Sequence, residues 1–238
     1  MRSHIFILLI MVSLLSACGA SDQQKVTEES PKEEKSEDGV GAVPHSSPAV
    51  DLPSVSIGEQ TWTSANLEVE TFRNGDPIPH IEDEQEWEKA GREGRAAWCY
   101  FNNDPDMGAL WGKIYNFHAV VDERGLAPAG WHVPTEAEFE QLEEALGGAS
   151  KAATPLKELP HWDESTTGSP SGFNARPSRG RFDDGPFIDL PDIGYWWSQT
   201  PHKDGRRANY IAMSLADPST TIWALEMGYG FAVRLVKD

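Results

Sequence analysis

The segment 130–147, GWHVPTEAEFEQLEEALG, carries the most complete secondary-structure signal in the chain. Pro134 disfavours helical geometry at the residue before it, Thr135 can cap a first turn, and Glu138 can complete a capping box. These residues predict a helix that begins at Thr135 and ends at Gly147. Its apolar stripe, which should face the core, comprises Phe139, Leu142 and Leu146. Its acidic side chains, which should face water, are Glu136, Glu140, Glu143 and Glu144.

The first residues are typical of a secretion signal. A short apolar run at 5–15 follows Arg2 and His4, and it is too short to span a bilayer. The run ends in Leu-Ser-Ala-Cys at 15–18, which resembles the lipobox of bacterial lipoproteins. That resemblance implies a signal peptide over 1–17 and acylation of Cys18, palmitate included. The alternative is an ordinary secretory cleavage with an incidental cysteine.

The acyl chains would hold the protein on a bilayer without a transmembrane helix, because each buried methylene contributes about 0.8 kcal/mol. Gly19 follows the Cys where an Asp would be the retention signal, by analogy with lipoproteins of enteric bacteria. We therefore expect a lipid-anchored protein of the bacterial cell envelope, in the outer membrane or at the cell surface.

The next part of the chain, 18–54, is predicted to be a disordered acidic tether. It mixes Glu, Asp, Lys, Ser and Pro and offers almost nothing to bury, so it cannot offset its ordering entropy. A surface-export signal in the acidic run is the weaker alternative. The whole chain holds 38 acidic and 20 basic residues, a formal charge of -18. This balance argues against a nucleic-acid partner, which needs clustered Lys and Arg.

The remaining chain, 55–238, is predicted to be one α+β domain. Its nine Trp residues are spread along the sequence, as expected of core side chains in a loop-rich fold. A hairpin with its turn at Gly58 is predicted near the start, and 230–236 reads as a final strand. We expect these two ends to pair in one sheet. Further strands are predicted at 96–101, 194–198, 208–215 and 220–225.

Between the ends, the sequence predicts helices and one long loop. A short helix capped by Asp83 carries Trp87, and apolar spacing predicts a second helix over 111–121. The region 155–191 is rich in Gly, Ser, Pro and Asp and shows no sustained period. So long a loop inside a compact domain is typical of a functional region.

A family resemblance covers nearly all of 55–238. In order, this part of the chain contains IGEQTWTSANL, TFRNGDPIPH, AAWCYFNNDP, GKIYNFHAV, GLAPAGWHVPTEAEFEQL, SGFNARP, GYWWSQT and GFAVRLVKD. This succession resembles the Fibrobacter succinogenes major paralogous domain, a family of extracellular bacterial domains that often occur on lipoproteins. The resemblance implies a cellular address and a domain type rather than an activity.

A remoter likeness bears on the fold. GWHVPTEAEFEQL and GFAVRLV look like the helix motif and final strand of formylglycine-generating-enzyme (sulfatase-modifying factor) domains. That likeness implies a C-type-lectin-like fold: two helices flank a small antiparallel sheet, the terminal strands pair, and a long loop region carries the ligand site.

Catalytic chemistry has little support in the sequence. Oxidase chemistry of the formylglycine-generating type would need a reactive Cys pair, and after acylation of Cys18 only Cys99 is left. The resemblance to the Fibrobacter succinogenes major paralogous domain implies a Cys in the final strand of many relatives, where this chain has Leu235. The seven His residues form no HxH or HExxH spacing, and Ser198 is not in a GxSxG turn. We expect a binding domain rather than an enzyme.

Calcium is the one cofactor that the sequence allows. C-type lectins place calcium in their long loop, and calcium favours hard oxygen ligands from flexible segments. The candidate ligands in this chain are Asp183, Asp184, Asp189 and Asp192. The Trp-Asn-Asp element of calcium-dependent lectins is absent, and Asp beside Gly or Pro is also ordinary turn chemistry.

The candidate ligand surface lies in the region 155–215. Aromatic rings stack on sugars and loop polar groups bind their hydroxyls, so a glycan or a cell-surface protein is the expected partner. The candidate residues are Trp162, Tyr195, Trp196 and Arg206. The alternative for each ring is a place in the core. Two other functions stay open, an enzyme acting on extracellular polysaccharide and a purely structural envelope component.

Overall fold

The computed structural model describes residues 50–158, 161–162 and 170–238. The predicted signal peptide, Cys18 and most of the predicted tether lie outside these residues. The described chain forms a mixed α+β body. None of its helices has the length and apolar character needed to cross a membrane.

The helices are short and the strands are mostly antiparallel. The helices are α1 Glu84–Arg92, α2 Pro105–Trp111, α3 Phe117–Val120, α4 Glu136–Ala145 and α5 Ala149–Leu156. The first six strands are β1 Ser54–Ile57, β2 Gln60–Thr63, β3 Trp98–Cys99, β4 Ile114–Asn116, β5 Trp131–His132 and β6 Gly180–Arg181. The other six are β7 Phe187–Ile188, β8 Ile193–Pro201, β9 Arg207–Ser214, β10 Thr220–Glu226, β11 Gly230–Phe231 and β12 Val236–Lys237.

The strands form three sheets, in the orders β1-β2-β12-β5, β10-β9-β8 and β3-β4-β11-β6-β7. In the first sheet Val236 lies opposite Trp62 in an antiparallel pair, which confirms the predicted pairing of the two ends. The predicted hairpin at the start is also confirmed, with Gly58 at a φ of 61° in its turn. Such a positive φ suits glycine, which has no Cβ to clash with the backbone.

Helix α4 begins with the predicted capping box. The Thr135 hydroxyl accepts from the Glu138 backbone N–H at 3.2 Å, and the Glu138 carboxylate accepts from the Thr135 N–H at 2.7 Å. The stripe residues Phe139 and Leu142 are buried, as predicted. Glu143 was expected in water and is instead buried, because its carboxylate accepts a 2.5 Å hydrogen bond from the Thr220 hydroxyl.

The single helix predicted over 111–121 is wrong. Helix α2 ends at Trp111, strand β4 follows, and α3 takes up only the last part of that range. The cause is Asn116, whose side-chain oxygen accepts from both the Ala97 and the Ala119 backbone N–H groups at 3.0 Å. One amide thus caps the next helix and also binds the chain at Ala97, and local periodicity does not show this second, long-range contact.

Two other predictions change. Residues 230–236 form two short strands, β11 and β12, rather than one. The predicted loop from 155 is shortened by α5, which runs to Leu156 and starts at Gly148 without a side-chain cap. The sequence lacks the usual helix start signal at this point.

The core consists of three apolar clusters packed around the sheets. Seven of the nine Trp residues are buried in it, so the prediction of indoles as core side chains is confirmed for them. Residues 50–53, assigned to the tether from sequence, already contact this body. The Val50 carbonyl accepts from the Trp131 indole at 2.8 Å, and Leu52 packs on the first cluster.

The C-terminus is tied to α4 through His132. Its Nδ1 lies 2.7 Å from the Asp238 carboxylate and its Nε2 lies 2.6 Å from the Glu138 carboxylate. Burial opposes the charged imidazolium, but the hydrogen bonds of Glu138 and Asp238 outweigh it, and the pKa of His132 is raised. Burial likewise opposes ionisation of Glu138, whose pKa is nevertheless lowered by bonds from Thr135 and His132.

This arrangement predicts a pH window of stability. The raised pKa of His132 means that its contribution is complete below its unfolded pKa and lost as pH rises through the folded value. The lowered pKa of Glu138 means that its contribution is lost as pH falls through its folded value. His132→Gln should therefore cost about 1 kcal/mol at pH values between the folded pKa of Glu138 and the folded pKa of His132. Above the folded pKa of His132 it should cost little. Urea unfolding across a pH series measures this, and an equal loss at every pH would contradict it.

Candidate functional site

The three-stranded sheet of β8, β9 and β10 presents a row of aromatic side chains. Directly opposed residues of neighbouring strands share one face of a sheet. Trp223 lies opposite Tyr210, and Tyr210 lies opposite Trp197. Tyr195 stands two residues before Trp197 and therefore belongs to the same face. We call this the aromatic face.

Along the aromatic face, the side chains become more exposed to solvent from β8 to β10. Trp197 is fully buried and Tyr195 and Tyr210 are half-buried, whereas the Trp223 side chain is 63% exposed. Phe231 supports the middle of the row, because its ring lies 5.0 Å from the Tyr195 ring, nearly parallel to it, and 4.9 Å from the Tyr210 ring. The two tyrosines are thus held in fixed positions below an indole that the protein leaves in water.

Two grooves lie beside Trp223. The smaller, about 210 Å³, is the aromatic groove, and its lining includes Tyr195, Tyr210, Ser214, Asp217, Thr221 and Trp223. The larger, about 580 Å³, is the polar groove, and its lining includes Glu136, Thr200, His202, Arg207, Asn209 and Trp223. The exposed indole therefore borders two grooves that both carry hydrogen-bonding groups.

The aromatic groove offers neutral hydroxyls and one anionic acceptor. Burial, aided by Tyr210, raises the pKa of Tyr195 to about 12, and burial also raises the pKa of Tyr210. Both phenols are therefore protonated at neutral pH. Neither hydroxyl bonds to another group in the described chain. Hydrogen bonds from Ser219 lower the pKa of Asp217 and keep it ionised.

The polar groove has a preset hydrogen-bonding arrangement. The Asn209 amide donates to the Glu136 carboxylate at 2.6 Å, and the Thr200 hydroxyl accepts from the Glu136 backbone N–H at 3.0 Å. On the hairpin between β8 and β9, Asp204 accepts from the Arg207 guanidinium at 2.6 Å. Side chains that are already oriented in this way can bind ligand hydroxyls with little ordering cost.

Two of the four predicted ligand residues belong to the core. The Trp162 indole is buried and donates to the Ala175 carbonyl at 2.7 Å. Trp196 is fully buried and donates to the Asn66 side-chain oxygen at 2.9 Å. Neither ring can offer a face to a ligand, so both predictions are corrected to core positions. Successive residues of a strand point to opposite sides, which sends Trp196 into the α4 and α5 side of the sheet.

The other two predicted residues lie in different places. Tyr195 lines the aromatic groove. Arg206 is exposed and lines a separate cleft of about 520 Å³ together with Asp183, Asp184, His118 and Glu226. Burial, together with Glu226 and Asp184, raises the pKa of Asp183 in this cleft. The structure thus brings Arg206 beside two of the predicted calcium ligands rather than beside Tyr195.

The four predicted calcium ligands do not form a metal site. Within the part of the chain that the structure describes, no three His, Cys, Asp or Glu side chains are grouped so as to hold an ion. Asp189 instead pairs with the Arg179 guanidinium at 3.0 Å. The calcium prediction for Asp183, Asp184, Asp189 and Asp192 is corrected accordingly.

Two further reactive groups are Cys99 and His118. The Cys99 thiol is buried, and burial raises its pKa to about 11, so little of it is thiolate at neutral pH. Burial lowers the pKa of His118, whose Nε2 lies 3.0 Å from the Gly91 carbonyl.

The sequence-based search missed Trp223. The strand itself was predicted, and its segment TTIWALE places Ile222 and Trp223 on opposite faces. Applying that alternation to the last predicted strands would have marked one indole as exposed.

Comparison with known protein families identifies the family of this chain. The protein-family model of the Fibrobacter succinogenes major domain matches residues 55–237. No curated protein and no solved structure matches the chain.

Because Trp196 is buried and Trp223 is exposed, their removal should affect stability very differently. Trp196→Ala should lower the free energy of unfolding by about 3–5 kcal/mol, because it empties a fully buried site. Trp223→Ala should change it by no more than about 0.5 kcal/mol, because that ring is already in water. Urea unfolding of both variants tests this. A large loss for Trp223→Ala would mean that the indole supports the fold and is not free for a ligand.

Proposed function

The chain belongs to the Fibrobacter succinogenes major domain family, and on that premise we propose that it binds extracellular polysaccharide, without catalysis, while anchored to the cell envelope. The observation that carries the proposal is Trp223, 63% exposed between two grooves. Leaving so large an apolar ring in water forgoes the free energy of its burial. An exposed aromatic surface rimmed by polar groups is typical of a binding site.

The chemistry around Trp223 suits a sugar chain. The flat faces of sugar rings carry C–H groups that pack on an indole, while their edges carry hydroxyls. The aromatic groove offers Tyr195, Tyr210 and ionised Asp217 for such hydroxyls, and the polar groove offers Asn209 and Arg207. Because Trp223 lines both grooves, we propose that several consecutive sugar units bind across them.

A binding role is favoured over hydrolysis by the state of the groove carboxylates. Glu136 accepts from Asn209, and Asp217 accepts from both the backbone N–H and the hydroxyl of Ser219. A glycosidase acid needs a raised pKa, whereas the pKa of Asp217 is lowered. Asp217 is therefore suited to accept ligand hydroxyls rather than to protonate a leaving group.

We place this site on a C-type-lectin-like fold. The pairing of β2 with β12, the helix α4 beside the sheets and a ligand surface in the second half of the chain support that assignment. The proposed site differs from that of a calcium lectin, because it uses aromatic and hydrogen-bonding groups.

We also propose that the protein is a lipoprotein of the outer membrane or cell surface, held on the bilayer through acylated Cys18. Leu-Ser-Ala-Cys at 15–18 and the apolar run before it support this. The acidic segment that follows would let the folded body reach polymers away from the lipid surface.

Binding should depend on the exposed indole. A glycan array probed with the full-length protein identifies a ligand, and calorimetry then compares variants. Trp223→Ala should weaken binding about two- to tenfold, because one stacking contact is worth about 0.5–1.5 kcal/mol. Tyr210→Phe should weaken it less, since only a hydroxyl is removed. Phe182→Ala is the matched control, because Phe182 is an exposed aromatic outside both grooves.

Three results would overturn the proposal. Absence of binding to every glycan favours a structural envelope component. Release of reducing sugar that stops on Asp217→Asn favours an enzyme. Equal weakening by Trp223→Ala and Phe182→Ala places the ligand elsewhere.

The anchor has a direct test. Cys18→Ser should abolish incorporation of labelled palmitate and move the protein from the membrane fraction to the soluble fraction, because serine has no thiol to form the thioether at the Leu-Ser-Ala-Cys motif. Ser16→Ala keeps a small residue before the cleavage site and serves as the control. Undiminished labelling of Cys18→Ser would contradict the assignment.

A further inference from the structure

A second pocket lies away from the aromatic face and contains a buried cation. Arg234 is 1% exposed, and its guanidinium donates only to neutral oxygens. These acceptors are the Asn66 side chain at 2.7 Å and the carbonyls of Thr63 at 2.8 Å, Phe173 at 2.8 Å and Asn174 at 2.9 Å. No carboxylate of the described residues forms a salt bridge with it. Buried charges are normally paired, so this one lacks its usual counter-ion.

A cavity of about 180 Å³ opens onto this guanidinium. A single water needs only about 10–15 Å³ by the same measure, so the cavity can take a group of several atoms. Arg176 lines it too, and bonds through Nε to Glu158 and through Nη1 to the Leu110 carbonyl at 3.1 Å. Its Nη2 has no hydrogen-bond partner in the described chain. Two guanidinium groups therefore border one cavity with N–H capacity to spare.

The local electrostatics favour an anion there. The pKa of Arg234 is lowered to about 9, mainly by burial and also by the neighbouring charge of Arg176, which Glu158 opposes less strongly. Glu68 is the one carboxylate that lines the cavity, and its side chain is exposed to water, which screens it. A bound anion would supply the missing counter-charge in a poorly solvated place, where charge-assisted hydrogen bonds are strong.

The cavity walls are held in place before any ligand arrives. The Asn66 oxygen accepts from both Arg234 and the Trp196 indole, and the Asn66 amide donates to the Trp111 carbonyl at 2.7 Å. Gly112 packs so closely on Asn66 that an added Cβ would lie 2.7 Å from the Asn66 Cβ. A rigid wall of this kind preserves the cavity rather than collapsing onto the charge.

We propose that this cavity is a binding site for a small oxyanion, a carboxylate, sulfate or phosphate group, held by the guanidinium groups of Arg176 and Arg234. Guanidinium groups match the planar, two-oxygen edge of such anions. The site is independent of the aromatic face, because neither Trp223 nor the groove tyrosines line it.

Calorimetry on the full-length protein in detergent tests this with sodium acetate, glucuronate, sulfate and phosphate, against sodium chloride at equal ionic strength. At least one oxyanion should bind where chloride does not, and it should raise the midpoint of thermal unfolding. Tighter binding of acetate or glucuronate would identify a carboxylate as the ligand, and tighter binding of sulfate or phosphate would identify an inorganic anion. Arg176→Gln should weaken binding at least tenfold, and Glu68→Gln should strengthen it severalfold, because it removes the one negative lining group.

Controls keep the test decisive where a variant is unstable. Arg92→Gln removes an exposed guanidinium far along the chain and should leave binding unchanged, as should Trp223→Ala. Equal loss in Arg176→Gln and Arg92→Gln would show unspecific charge effects and overturn the site. So would the absence of binding by all four oxyanions. Glycan binding that persists in Arg176→Gln would leave the proposed function standing while the anion site is judged alone.

Discussion

The guanidinium of Arg234 is the contact on which the rest of this fold depends. It joins the end of the first hairpin, at Thr63 and Asn66, to the chain around Phe173, and it lies between β11 and β12. This one buried group donates four hydrogen bonds, to the Asn66 side-chain oxygen and to the carbonyls of Thr63, Phe173 and Asn174. Removing one partner of such a buried charged network is costly, because the groups left behind have no water to replace it.

The three-stranded sheet links this framework to the proposed function. Its two faces differ in what covers them: α4 and α5 pack on the side of Trp196 and Ile211, while Phe231 supports only the inner part of the other side. The outermost strand therefore carries its indole beyond the core. Trp223 is exposed because the sheet extends beyond the side chains that cover this face. Trp196 lies on the face covered by α4 and α5 and is therefore part of the core.

Local chemistry explains where prediction from sequence succeeded. The capping box at Thr135, the Gly58 turn and the cap at Asp83 each act within a few residues, so their outcome is visible in the letters. The helix expected over 111–121 failed because a long-range contact decided it: Asn116 bonds Ala97, nineteen positions away in the chain. Periodicity cannot register a competing partner that only the folded chain supplies.

The sequence by itself determined the family and the terminal strand pairing, since motif order and alternation are properties of the chain. Only the tertiary structure decided which indoles reach water. Trp196, Trp197 and Trp223 lie in strands of similar composition, and burial depends on what packs against each one. The same holds for the four loop aspartates that were candidate calcium ligands, because Asp183 and Asp184 line one cleft whereas Asp189 pairs with Arg179. Side-chain convergence is a three-dimensional property, and residue types alone do not specify it.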